Sequence, residues 1–158
     1  MRPVSFRIPG GPFRIGALFA VFSAVVAPAV TLSHPNARFF RGDISVSTSW
    51  EGIVRLTGTV VIREGVTVTV EPGAEILIQP GVGADIVVRG RLLVRGVPER
   101  PVLFDTAGGC AAGPWGGIVF RKGATGILEH AKIRCSSTGI AGDLSGVTRS
   151  GVAVERGR

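Results

Sequence analysis

Hydrophobic and polar positions alternate through the middle of the chain. Val66, Val68 and Val70 alternate with Thr67, Thr69 and Glu71, and Ile76 and Ile78 with Leu77 and Gln79. Ile86, Val88, Leu92 and Val94 share one parity, and Arg89, Arg91 and Arg95 take the other. A period of two is that of a half-buried strand, because successive side chains point to opposite faces. Gly and Pro punctuate these runs in EPGAE, QPGVGAD, VRGR and VPERP. The pattern predicts an all-β chain of short strands. The best helical candidate, Gly126 to Arg134, also fits an imperfect alternation through Leu128, Ala131 and Ile133.

The N-terminus departs from this pattern. Met1 to Arg14 carries Arg2, Arg7 and Arg14 and no acid, and an apolar run containing one polar residue, Ser23, follows from Ile15 to Val26. That run is well short of the roughly 20 residues of a membrane span. Ala27-Pro28-Ala29 then supplies small residues at a cleavage position. The layout is that of a secretory signal over residues 1–29, cleaved after Ala29. An uncleaved anchor, and with it a membrane-anchored surface protein, is the alternative. Residues 30–48 read as a linker or N-terminal cap, and 49–158 as the body.

Composition narrows the class further. A hydrophobic content of 45% argues against disorder, and the 158 residues fit one domain. The formal charge is +7, but removing the three leader arginines from 18 basic residues, against 11 acids, leaves +4. The basic residues are scattered among acids, with no aromatic-interleaved basic motif, so no nucleic-acid partner is expected.

Trp50-Glu51-Gly52-Ile53-Val54 and Trp115-Gly116-Gly117-Ile118-Val119 are similar. Read as repeats, they would stand about three units of roughly 20–25 residues apart. The hairpin dipeptides Asn-Gly and Asp-Gly do not occur. Close, apolar strands without hairpin turns suit parallel pairing between successive coils.

The succession GVTVTVEPGAEILI, IVVRGRLLVRGVPERPVLF, WGGIVF, LEHAKIR and STGI resembles right-handed parallel β-helix proteins of the pectin-lyase-like superfamily. In particular it resembles the N-terminal coils of secreted bacterial β-helix proteins, over Trp50 to Ile140. The resemblance implies a solenoid of about four to five coils. It also raises polysaccharide-active lyases and glycosidases, which that superfamily includes.

The chemistry those enzymes need is not grouped in the sequence. A glycosidase requires two carboxylates across one site, and Asp-Asp, Asn-Thr-Asp and Gly-His-Gly are absent. Asp105, Glu129 and Asp143 are spread singly, and Glu71 and Glu75 could share a turn, but the resemblance implies that EPG there is structural. His130 has no second ligand at metal spacing, and His34 lies in the linker, so neither a metal nor another cofactor is expected. Arg89, Arg91 and Arg95 share strand parity and should point one way. They are either a solvated face or a patch for acidic glycan or phosphate.

Cys110 and Cys135 are an even pair in a chain read as exported, at a separation near one coil, which predicts a disulfide. In a reducing compartment they would remain thiols. The tail AGDLSGVTRSGVAVERGR begins another coil without an evident cap. It predicts an open C-terminal end prone to self-association. The functional expectation is an exported, non-catalytic β-helix module with a structural, surface or carbohydrate-binding role. A polysaccharide lyase or glycosidase is the alternative.

Overall fold

A computed structural model describes residues 37–80 and 85–157, all within the unit Ser33–Arg158. The proposed signal segment lies outside the described residues. The strands are β1 (Arg38–Ile44), β2 (Thr48–Trp50), β3 (Ile53–Ile62), β4 (Thr67–Val70), β5 (Glu75–Ile78), β6 (Asp85–Val88) and β7 (Arg91–Arg95). They continue as β8 (Val102–Thr106), β9 (Trp115–Phe120), β10 (Thr125–Glu129), β11 (Ala131–Gly142), β12 (Val147–Ser150) and β13 (Ala153–Arg156). One 3₁₀ turn, Cys110–Ala112, follows β8. No helix among the described residues is long and apolar enough to cross a membrane.

The named strands pair in parallel throughout. An eight-stranded sheet runs β1-β3-β5-β8-β11-β9-β6, with β13 joined to β11, and a five-stranded sheet runs β12-β10-β7-β4-β2. The long strands β3 and β11 each serve two rows. Ile53 to Leu56 pairs with β5, while Val60 to Ile62 pairs with β6. The chain therefore visits three strand rows in a fixed order, first, second and third, and then returns to the first. β5, β6 and β7 make one such pass, and β8, β9 and β10 the next.

Registered pairing stacks like on like. Val54, Ile76, Phe104, Ile133 and Val154 occupy one line of the first row. Val60, Ile86, Ile118 and Ile140 do the same in the second, and Trp50, Val70, Val94 and Leu128 in the third. Their inward parity makes the core. Val54, Ile76, Phe104, Ile133, Val70 and Leu128 are all fully buried. Each such side chain contributes about 1.5–3 kcal/mol relative to exposure. Gly126 holds an inward position because the Phe120 ring occupies the space: a Cβ there would meet Phe120 Cε1 at 2.7 Å.

Residues 30–48 include β1, whose Phe40 pairs with Leu56 and whose Ile44 pairs with Ile62. The all-β reading of the pattern holds, and two details differ. The two tryptophan motifs are not equivalent. Trp50 ends a third-row strand, whereas Trp115 starts a second-row strand. Passes differ in length, so their resemblance does not measure a repeat. Gly126 to Arg134 is two strands broken at His130, whose φ of 43° turns the chain between β10 and β11. That corner is the reason the alternation there is imperfect.

Candidate functional site

Second- and third-row strands are joined by a corner that recurs in each pass. Arg63-Glu64-Gly65-Val66 joins β3 to β4, and Arg121-Lys122-Gly123-Ala124 joins β9 to β10. Between these similar turns, only Arg89 and Gly90 join β6 to β7. The middle turn is thus recessed between two longer ones. Backbone hydrogen bonds fix it: Arg91 N donates to Val66 O at 2.9 Å, Gly90 N to Ile62 O at 3.2 Å, and Thr125 N to Gly90 O at 3.0 Å. A side chain at Gly90 would collide with the carbonyls of Arg63 and Val66.

The recess is a cleft of about 560 Å³. Its charged lining is Arg89, Arg91 and Lys122 against Glu64 as the one acid, with Thr67 and Thr125 at the walls. Arg91 is registered between Thr67 and Thr125 on the neighbouring strands. Its Nε donates to Thr125 Oγ1 at 3.1 Å, which orients the guanidinium. Three cations and one carboxylate around one concavity favour an anion. The guanidiniums supply the planar donor forks that suit carboxylate, sulfate or phosphate.

The sequence grouped Arg89, Arg91 and Arg95 by parity. The structure brings Arg89 and Arg91 together in the cleft and leaves Arg95 out, because Arg91 and Arg95 lie at opposite ends of β7. Arg95 is registered with Glu129 and follows Val94, the partner of Val70, beside Glu71. It therefore sits in a line of alternating charge. Lys122 was not singled out from the sequence. The likeness of Arg63-Glu64-Gly65-Val66-Thr67 to Arg121-Lys122-Gly123-Ala124-Thr125 is the signal that could have found it.

The acids do not converge. Asp105 lies in the first row, where its Oδ2 accepts from Arg134 Nη1 at 3.2 Å. Glu129 ends a third-row strand, and Glu71 accepts from Ser49 Oγ at 3.0 Å. Asp143 occupies the corner after β11 and accepts from Ser145 N and Oγ at 3.1 and 2.7 Å. Those bonds, aided by Lys122, hold its carboxyl below the ordinary carboxylate value. The disulfide Cys110–Cys135 is formed, with Cα atoms 4.9 Å apart, and links the turn after β8 to β11. Asp105 lies close to both sulfurs, but these are bonded to each other and offer no thiolate to a metal.

Comparison of the chain with family models, with curated proteins and with solved structures finds no match in any of the three.

Proposed function

We propose that the chain is an exported, non-catalytic module of the right-handed parallel β-helix type that binds acidic carbohydrate at the Arg89–Arg91–Lys122 cleft. The observation that carries the binding role is the cleft's lining, three cations to one acid around a turn shortened to Arg89-Gly90. The β-helix reading is supported by the three-row return of the chain and by stacked lines such as Val54, Ile76, Phe104 and Ile133. The pectin-lyase-like resemblance rests on the motif succession alone. Export is supported by the N-terminal layout and by a disulfide, which persists in oxidising compartments. The reading includes self-association through the exposed strands β12 and β13.

Glycan binding is tested by titrating the purified protein with acidic and neutral polysaccharides. Acidic chains bind and neutral ones do not, the affinity falls as salt rises, and Arg91→Ala weakens it. Equal binding of both classes overturns the assignment. Release of unsaturated or reducing ends overturns the non-catalytic reading and favours a lyase or glycosidase.

A further inference from the structure

The cleft belongs to a longer cationic line whose ends are both closed. Arg63, Arg89 and Arg121 follow Ile62, Val88 and Phe120, which are stacked in the second row. The backbone ladder continues through them: Arg89 N donates to Ile62 O at 2.9 Å and Arg121 N to Val88 O at 2.8 Å. Successive members of the line are therefore about 4.8 Å apart along the stacking direction. At one end Arg63 is taken up by Asp43, with Nε at 3.0 Å and Nη2 at 2.6 Å from the same carboxylate oxygen. At the other end the line passes to Asp143, whose amide donates to Phe120 O at 2.9 Å. Between these acids, neither Arg89 nor Arg121 forms an ion pair among the described residues. Arg91 flanks Arg89 across Gly90, and Lys122, the chain neighbour of Arg121, lines the cleft with Arg89 and Arg91.

We propose that this corner recognises two acid groups set one strand spacing apart, one at Arg89 and Arg91 and the other at Arg121 and Lys122. The inference rests on the acidic-glycan reading of the cleft and deepens it. The ligand is a linear oligosaccharide with carboxylates or sulfates on neighbouring units, rather than a sugar with a single charge. Asp43 and Asp143 bound the footprint by neutralising or replacing the next member of the line.

The test uses the full chain and calorimetric titration with glucuronic acid, with its 1,4-linked oligomers of two and four units, and with a neutral tetrasaccharide. The two-unit acid is expected to bind about tenfold or more tighter than the monomer, since its second acid group binds intramolecularly. Arg121→Ala should bring the two-unit ligand down to the monomer's affinity, while Arg91→Ala weakens every acidic ligand. Circular dichroism of each variant checks that the fold is kept. If one and two units bind alike, or Arg121→Ala changes nothing while Arg91→Ala still weakens binding, the two-group footprint is overturned and the cleft reading stands. If no acidic ligand binds, both are overturned.

Discussion

The amide of Arg91 donates to the carbonyl of Val66 at 2.9 Å, and this bond closes the shortened turn against its longer neighbour. The approach leaves no room for a Cβ at Gly90, which would overlap the carbonyls of Arg63 and Val66. Gly90→Ala should therefore destabilise the protein by about 1–3 kcal/mol, the usual cost of overpacking. Gly58→Ala is the control, because a Cβ there meets only Arg41 Cβ at 3.7 Å. Paired thermal melts should show a clear loss for the first and little change for the second. Equal melting temperatures would mean that the turn can relax without the glycine.

The periodicity carried the strands and most of the core because parallel stacking buries inward residues that have a strand on either side, regardless of the length of a pass. Leu92 and Val94 were readable as inward, and Arg91 and Arg95 as outward, from parity alone. Corners were not readable in this way, because direction there depends on backbone torsion. His130 and Cys135 adopt φ of 43° and 56°, values uncommon for non-glycine residues, and parity cannot be carried across them. The same limit explains why Arg95 was grouped with Arg89 and Arg91. Parity places side chains on a face but does not say where along a strand a cleft opens. That depended on two neighbouring turns being longer than the one between them.

The Arg134 guanidinium reaches Asp105 at 3.2 Å and Glu155 at 3.0 Å, across successive first-row strands. The two partners should not contribute equally. Asp105 keeps 10% of its side chain exposed, whereas Glu155 keeps 66%. Arg134→Ala strands the buried carboxylate, with an expected loss of about 1–3 kcal/mol. Glu155→Gln removes an exposed partner and should cost less than about 1 kcal/mol. Urea unfolding of both variants measures this, and equal losses would contradict the asymmetry.

The disulfide links two successive passes at a sequence separation of 25. Closing a loop of that size restricts the unfolded chain by about 3 kcal/mol in the chain-entropy model. The double variant Cys110→Ser, Cys135→Ser should lose stability of that order in urea unfolding. Wild-type protein with reductant should match it. Two freely labelled thiols in the native protein would refute the bond.

Asp143 provides a pH test. Hydrogen bonds from Ser145 and the charge of Lys122 favour its ionised form and lower its pKa. A lowered folded-state pKa gives a contribution present above the unfolded value and lost as pH falls through the folded one. Ser145→Ala removes the largest cause, so the Asp143 carboxyl should titrate closer to the ordinary carboxylate value. Carboxyl chemical shifts followed by NMR between acid and neutral pH measure it. An unchanged midpoint would show that the Ser145 hydroxyl does not bond to the ionised form.

The last two strands offer edges for self-association. Among the described residues β12 pairs only with β10, and β13 only with β11, so each has one free edge. Exposed edges template pairing with another chain. Val154 continues the fully buried line of Ile76, Phe104 and Ile133 but is itself 42% exposed. A second copy that pairs along β13 would cover it. Sedimentation of the protein at micromolar concentrations should show average mass rising with concentration. Val154→Lys places a charge on that line and should restore the monomer, since edge lysines oppose pairing. Circular dichroism keeps misfolding apart from loss of association. A wild-type protein that stays monomeric throughout this range would show that these edges do not pair.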